Sequence, residues 1–259
     1  MVSPVLAVEC PADRIDESVA VSQVVDGDTL RLEDGRLVRL IGINTPELAR
    51  KGKPAEPLAE KARKVLQSLL EISTSPNSSA SDINVGLRYG TEQNDRYGRI
   101  LAHVYLTNGV SAEARMLSAG MAAQIVVPPN TLNRECYRAA ERKARQANLG
   151  VWNSHYRPIP IADVPRQSRG FRLISGKVVR VGESKRSIWL NFPKLAGEGW
   201  REGVAVRISR KDLEYFKSWH PLQLRGKQVV VRGWLFPYKK QLVMQLRHPF
   251  ALEIKPDDR

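Results

Sequence analysis

Residues 19–43 read VAVSQVVDGDTLRLEDGRLVRLIGI and carry the strongest structural signal in the chain. Two Asp-Gly pairs, Asp26-Gly27 and Asp34-Gly35, separate three short runs in which apolar and polar residues alternate. Asp-Gly between such runs is a strong signal for a tight hairpin turn, and the alternation is typical of strands with one buried face. The stretch therefore predicts a three-stranded antiparallel meander, with strands at 19–25, 29–33 and 37–41.

Helices and further strands are predicted downstream of this meander. Apolar residues at helical spacing predict helices at 57–71, at 111–119 with Ser111 as the N-cap, and at 131–148. Strands are expected near 82–88, 100–106 and 121–127, and a polar loop at 73–81. Strands with interspersed helices in this order predict a five-stranded barrel of the OB type with three helices, over residues 19–153.

The last third of the chain predicts a second strand-rich unit. Five strands near 171–181, 187–193, 203–209, 227–236 and 241–247, with a short helix near 210–217, again indicate an OB-like barrel over residues 171–259. Residues 154–170 are rich in Pro and Arg and predict a linker, and residues 1–18 a separate N-terminal segment. The expected fold class is α+β, mainly β with helices.

The charge of the chain indicates an anionic partner. Its 259 residues carry a net charge of +14, and residues 170–259 alone hold 19 Lys and Arg against 8 Asp and Glu. Nucleic acid is the first expectation and an anionic membrane surface the second, although surface charge that serves only solubility is an alternative. No run of 18 apolar residues occurs, so no membrane-spanning helix is expected.

Three short strings, 26–29, 39–47 and 95–99, hold the candidate metal-binding, phosphate-binding and catalytic residues. Asp28 begins a strand, where a carboxylate is disfavoured unless it has another role, such as binding a hard cation. Asn44 offers an amide oxygen and Thr45 a backbone carbonyl to the same ion. The alternative is that Asp26-Gly27 and Asn44-Thr45-Pro46 are only turns.

Arginines and one glutamate complete these strings. Arg39 interrupts an apolar strand, so it lies either on the wet face or in a site, and a guanidinium suits bidentate binding of phosphate. Arg99 offers a second clamp and Tyr97 an aromatic face for a base. Glu47 is the candidate general base, since none of the four histidines lies in these strings.

The three strings, in this order and spacing, resemble the thermonuclease (staphylococcal nuclease-like) family over about residues 19–153, including Asn148-Leu149-Gly150-Val151-Trp152. The resemblance implies an OB barrel with three helices. It also implies a calcium-dependent, sugar-nonspecific endonuclease that acts on DNA and RNA and leaves 3′-phosphate ends. The roles that it implies are metal binding for Asp28, Asn44 and Thr45 with Asp26 in support, phosphate binding for Arg39 and Arg99, base catalysis for Glu47, and substrate binding for Arg96 and Tyr97.

Two features depart from the family pattern. The segment Gln124-Ile125-Val126-Val127-Pro128 lacks tyrosines that the best-known family member has there, which implies weaker stacking on the base and a different base preference. The other departure is at position 44. The family usually has Asp where this chain has Asn44, and a neutral amide removes one negative charge from the site. The departure implies weaker calcium binding or a preference for another divalent cation. A nucleic-acid-binding protein with little or no catalysis is therefore the alternative function.

The second unit interleaves basic and aromatic residues, which suits a single strand because phosphates go to the cations and bases to the rings. Its candidate substrate-binding residues are Lys185, Arg186, Trp234, Tyr238, Lys239 and Lys240. The alternatives are that the rings belong to the core, or that the unit binds a protein.

The two cysteines, Cys10 and Cys136, bear on the compartment. In an exported protein they would pair, and in the cytosol they would be small buried hydrophobes. Val5-Leu6-Ala7 resembles the end of a signal peptide, although an ordinary frayed terminus explains it equally. We expect a disulfide, export to the periplasm or medium, a monomer and no membrane partner. Protein partners stay open.

Overall fold

The computed structural model describes residues 9–50, 52–72, 83–193, 203–239 and 241–256. The chain divides into two compact units, of which unit 1 runs to Ile125 and includes Pro129–His155, and unit 2 consists of Val126–Pro128 and the residues from Tyr156 onward. Three predictions concern residues outside the described ranges: the loop at 73–81, Lys240 as a binding residue, and the signal-like residues 5–7. Among the described helices, none has the length and apolar character needed to cross a membrane.

Unit 1 is built on a closed five-stranded barrel. The strands of this unit are β1 (Glu17–Asp26), β2 (Thr29–Leu32), β3 (Leu37–Leu40), β4 (Ile43–Asn44), β5 (Asn84–Asn94), β6 (Ile100–Tyr105) and β7 (Ala123–Gln124). The barrel has the order β1-β2-β3-β6-β5, and all neighbouring strands are antiparallel except β3 and β6, which are parallel. The predicted meander and OB-type barrel are thus confirmed.

Three α-helices pack on this barrel within the described part of unit 1: α1 (Ala59–Ile72), α2 (Ala112–Ser118) and α3 (Arg134–Gln146). The apolar face of α1 places Ala62, Leu66 and Leu70 in the barrel core. Ser111 is the N-cap of α2, as predicted, because its side chain accepts a hydrogen bond from the Ala114 N–H at 3.2 Å.

The strand expected at 121–127 is much shorter than predicted. Only Ala123 and Gln124 pair with a strand, namely the two residues of β4. The Gln124 N–H instead donates to a side chain, the Glu141 carboxylate of α3, at 2.8 Å. Apolar residues in this stretch signal burial rather than a continuous ladder.

A disulfide joins Cys10 to Cys136, which confirms the predicted pairing. The two Cα atoms are 5.8 Å apart and 126 positions apart in sequence. The segment before β1 is held further by backbone bonds from Ser111 N–H to Glu9 O at 3.0 Å and from Asp16 N–H to Leu87 O at 2.8 Å. The N-terminal segment is therefore fastened to the barrel and to α3.

Unit 2 repeats the strand order of unit 1 in an open, curled sheet. Its strands are β8 (Ile159–Pro160), β9 (Gly170–Lys177), β10 (Arg180–Glu183), β11 (Ser187–Asn191), β12 (Val204–Ser209), β13 (Gln228–Tyr238), β14 (Gln241–Leu246) and β15 (Leu252–Ile254). The order is β10-β11-β12-β14-β13-β9-β8, with β15 paired to β13 and with β12 and β14 parallel. β9 and β10 follow one another in the chain but lie toward opposite edges of this sheet and are not neighbours in it. The unit is therefore OB-like without a fully closed barrel.

The segment expected to be a linker, 154–170, contains ordered structure of unit 2. It holds β8, which pairs in parallel with β9, and a short 3-10 turn at Ile161–Asp163. Ile161 and Val164 are buried in the core of unit 2. Its two-residue strand is too short for a periodic pattern, which is why the sequence gives no signal for it.

Candidate active site

The β1–β2 turn brings the first acidic string against α1 and the segment after β4. A Cβ on Gly27 would lie 2.9 Å from the Cβ atoms of both Ala62 and Thr45. No side chain fits this gap, so glycine permits the close approach of the turn. Asp28 is consequently held beside Thr45, and Asp26 and Asp28, on either side of Gly27, are both about 95% buried.

Asp28 lies at the centre of the contacts. Its Oδ2 accepts hydrogen bonds from the Thr45 N–H at 3.0 Å and the Thr45 hydroxyl at 3.1 Å. The same oxygen is 3.1 Å from Arg39 Nη2. The first two strings therefore meet at one carboxylate oxygen.

Arg39 points out of the barrel and into this site. Its neighbours Val38 and Leu40 face the core, and its own side chain is only 11% exposed. Nη2 donates to Ile43 O at 2.8 Å, and Nη1 donates to Leu40 O. These bonds hold the guanidinium in one orientation before any ligand arrives.

The third string reaches the site through Arg99. Its Nη1 lies 3.4 Å from the Thr29 hydroxyl, and Thr29 Oγ1 in turn donates to Asp28 Oδ1 at 3.2 Å. Asp95 fixes Arg99 by accepting from its Nε at 2.8 Å. The structure thus brings residues of all three strings together.

Tyr97 and Arg96 lie at the outer end of the same turn. The Tyr97 ring is 68% exposed, and Arg96 Nη2 donates to its hydroxyl at 2.6 Å. The Arg96 guanidinium stands 4.7 Å from the ring centroid. The ring face is therefore accessible to a ligand, with positive charge beside it.

The atoms that could coordinate a metal at this site are all oxygens. Asp26 and Asp28 supply two carboxylates, Asn44 an amide and Thr45 a carbonyl, which suits calcium or magnesium. Asn44 is buried, and its Nδ2 donates to Thr45 O at 3.2 Å. The described residues hold no group of three or more His, Cys, Asp or Glu side chains placed around one point, and the oxygens at this site come from two carboxylates, an amide and a backbone carbonyl.

Asp26 carries the strongest electrostatic cost at the site. Burial, followed by the negative charge of Asp28, raises the pKa of Asp26 from 3.8 to about 6. Arg50 offsets part of that charge, with Nη2 2.6 Å from Asp26 Oδ2. A bound cation would relieve the same repulsion between the two carboxylates, so the residues fit a hard divalent ion.

Glu47 begins a loop that closes on itself at Glu56. The Glu47 N–H donates to Glu56 Oε2 at 3.1 Å, and the Glu56 N–H donates to Glu47 O at 2.8 Å. His155 Nε2 lies 3.4 Å from the Glu56 carboxylate. The Glu47 side chain itself is exposed, and partial desolvation together with the Asp28 charge raises its pKa.

Arg50 and Glu56 are site residues that the sequence reasoning missed. Both belong to this loop, where their contacts depend on how the chain folds back from Glu47 to Glu56. The only sequence signal was a basic residue, Arg50, three positions after the candidate base.

The candidates in unit 2 separate into two groups. Lys185 and Arg186 are exposed in the turn between β10 and β11, while Tyr238 and Lys239 lie at the turn between β13 and β14. These turns are at opposite ends of the sheet, because Ser187 pairs with Ser209 at one end of β12 and Leu242 pairs with Val204 at the other. Trp234 is 42% exposed, and Lys240 lies outside the described residues.

Comparisons with known proteins agree on one family. The model of the staphylococcal nuclease homologue family matches residues 37–154. The chain is 32% identical to a thermonuclease of Staphylococcus intermedius over 139 residues, which are 52% of this chain and 76% of the relative. It is 28% identical to a thermonuclease of Staphylococcus hyicus, covering 54% of this chain and 78% of that protein. It is also 28% identical to the endonuclease YncB of Bacillus subtilis, over 52% of this chain and 62% of the relative.

Proposed function

The chain belongs to the staphylococcal nuclease family and is a nuclease, and from that premise we propose that it is a calcium-dependent, sugar-nonspecific endonuclease that leaves 3′-phosphate ends. The observation that carries this proposal is the meeting of the three strings at Asp28. The Thr45 N–H, the Arg39 guanidinium and, through Thr29, Arg99 all reach this carboxylate.

The residues support hydrolysis by in-line attack of water on phosphorus. Glu47 takes a proton from the water, and its raised pKa brings it closer to neutral pH, where a base is most effective. The oxygen of water bonds to phosphorus while the bond from phosphorus to the 5′ oxygen breaks, and the departing 5′ oxygen takes a proton from solvent and leaves as a hydroxyl. The phosphate group therefore remains attached to the 3′ oxygen of one product.

Arg39 and Arg99 supply positive charge where charge accumulates in the transition state. Both are oriented before substrate binds, Arg39 by two backbone carbonyls and Arg99 by Asp95. Preorganised donors of this kind are effective because no reorganisation is needed during the reaction.

Asp28, Asn44 and the Thr45 carbonyl would hold the metal, with Asp26 in support. When bound, a divalent cation neutralises charge on the phosphate oxygens and favours ionisation of water. We propose calcium, with another divalent cation as the alternative because Asn44 contributes no charge. Asp28 Oδ2 also accepts the two hydrogen bonds from Thr45, so the ion would share this carboxylate with Thr45.

We further propose that unit 2 binds the polyanion through its excess of basic residues, and that export accounts for the disulfide. Lys185, Arg186 and Lys239 are exposed at turns, where phosphates can reach them. A disulfide persists in oxidising compartments, which supports a periplasmic or secreted protein.

Digestion of plasmid and RNA with calcium, and then with chelator, tests the proposal. Glu47→Gln should lower kcat by about 10²- to 10⁴-fold with little change in KM, because the amide cannot accept the proton. Glu33→Gln, an exposed acid elsewhere in the meander, is the matched control and should be normal. Full activity of Glu47→Gln would remove it as the base, and activity that survives exhaustive chelation would refute the metal requirement.

A further inference from the structure

Three aromatic side chains form an exposed row on the outward face of β13. Trp234, Phe236 and Tyr238 alternate along the strand and are 42%, 37% and 47% exposed. Of the two intervening positions, Leu235 lies in the core of unit 2 and Pro237, near the end of the strand, is exposed. Val229 and Val231, earlier in β13 and in register with Leu235, also lie in that core. A contiguous row of exposed rings is unusual on a protein surface and marks a binding face.

Neighbouring strands hold two of these rings in place. Trp234 pairs with Phe171 across β13 and β9, and the two rings meet edge to face with centroids 5.3 Å apart. Phe236 pairs with Val243 of β14, which is buried. A rigid ring loses little entropy when a ligand stacks on it, so this arrangement favours binding.

The spacing of the row selects among nucleic acids. Alternate residues of a strand are about 6.8 Å apart, which is twice the separation of about 3.4 Å between bases along a duplex strand. Successive rings therefore match the bases of an extended strand. The bases of a duplex stack on one another and offer no free faces to the rings.

Positive charge accompanies the rings on the same face. Lys239 Nζ lies 5.7 Å from the Tyr238 ring centroid at the end of the row. Further across the sheet, the Arg207 guanidinium stands 5.9 Å from the ring of its cross-strand partner Trp189. Arg207 and Trp189 face outward, because the residues on either side of each one are in the core. These core neighbours are Val206 and Ile208 on β12, and Ile188 and Leu190 on β11.

We propose that the outward face of β13 is a stacking platform for unpaired nucleic acid, with Trp234, Phe236 and Tyr238 contacting successive bases and Lys239 a phosphate. The proposal deepens the proposed function, since it rests on nucleic acid as the substrate and names the unpaired strand as the form that unit 2 holds. The rings supply the selectivity, and the net positive charge of residues 170–259 supplies attraction to any polyanion.

Binding by the full chain in excess EDTA tests the platform without cleavage. Fluorescence anisotropy would compare three probes: oligothymidine of about 16 nucleotides, a duplex of the same length, and heparin, which has charge but no bases. Phe236→Ala and Tyr238→Ala should each weaken oligothymidine binding by about 5- to 150-fold and leave duplex and heparin binding unchanged, because each ring removes one stacked base. Phe236→Trp should retain binding.

Leu222→Ala is the matched control, since Leu222 is a 41% exposed apolar residue of unit 2 outside β13. It should bind every probe normally, and all variants should keep the urea unfolding midpoint of the parent chain. Unchanged oligothymidine binding in both ring variants would overturn the platform and leave the face to a protein partner. An equal loss with heparin would also overturn it. Calcium-dependent plasmid cleavage by the parent chain is scored separately, so a failed nuclease assignment is distinguishable from a failed platform.

Discussion

At the scale of single residues, the site is a balance between buried acids and the arginines that neutralise them. Asp26 and Asp28 are buried side by side, and Arg50 and Arg39 lie against them at 2.6 and 3.1 Å. Each arginine therefore forms an ion pair with a carboxylate that would also bind the metal. This competition leads to two predictions, one for stability and one for metal affinity.

Replacing Asp26 should change the pH dependence of stability. Because the pKa of Asp26 is about 6 in the folded chain and near 3.8 when unfolded, the folded state binds more protons between these values. The free energy of unfolding therefore falls as the pH rises from about 4 to 6. In chelator at pH 7.5, Asp26→Asn should be more stable by up to about 3 kcal/mol, less the lost contact with Arg50, and it should match the parent near pH 4.

Urea unfolding at both pH values measures this effect, and Asp34→Asn is its control. The neighbouring turn acid Asp34 has a lowered pKa, chiefly because it accepts a hydrogen bond from the Arg36 N–H. Its contribution has the opposite sign, so Asp34→Asn should lose stability at pH 7.5. An Asp26→Asn chain that is no more stable than its parent at pH 7.5 would show that Arg50 fully compensates the buried charge.

Arg50 should weaken metal binding. Its side chain is 55% exposed, and an exposed ion pair is worth up to about 1 kcal/mol. Arg50→Ala should therefore bind calcium about two- to fivefold more tightly in isothermal titration calorimetry. Arg36→Ala, at the other turn of the meander, is the control and should leave calcium affinity unchanged. Weaker calcium binding in Arg50→Ala would mean that Arg50 supports the metal site rather than competing with it.

At the scale of elements, the sequence predicted what depends on local pattern. The two Asp-Gly turns, the strand that carries Arg39 and the Ser111 cap are visible as short patterns, and all three occur in the structure. The meeting of the strings was inferred from a family resemblance, because no local pattern reports that Thr45 reaches Asp28. Arg50 was missed since its position depends on the closure of the 47–56 loop by Glu56.

The disulfide should stabilise unit 1 by restricting its unfolded state. Its ends are 126 positions apart, and closing so long a loop is worth about 5 kcal/mol at most in the chain-entropy account, with about 2–5 kcal/mol observed for native bridges. Reductant should lower the urea midpoint of the parent chain. A Cys10→Ser/Cys136→Ser chain should start from the lower midpoint and show no response to reductant. An unchanged midpoint on reduction would assign the fastening of the N-terminal segment to its hydrogen bonds and ion pairs instead.

At the scale of the whole molecule, two units of the same strand order carry different surfaces. Both place a parallel pair of strands, β3 with β6 and β12 with β14, after an antiparallel meander. Unit 1 gathers acids and arginines at its turns, while residues 170–259 hold 19 basic and 8 acidic residues. A shared fold is thus compatible with the proposed chemistry in one unit and the proposed polyanion binding in the other, because function lies in the residues at the turns and faces.

The salt dependence of binding should locate the polyanion contacts of unit 2. Each phosphate contact to a single strand contributes about 0.7 to the slope of log affinity against log salt concentration. If Lys185 and Arg186 each contact a phosphate, Lys185→Ala/Arg186→Ala should reduce the slope for oligothymidine by about 1.4 in EDTA. Lys61→Ala/Lys64→Ala, which removes the same charge from the exposed face of α1, should leave the slope nearly unchanged. Equal reductions in both double variants would indicate that net charge alone attracts the strand, because a diffuse field depends on the number of charges and not on their place in the fold.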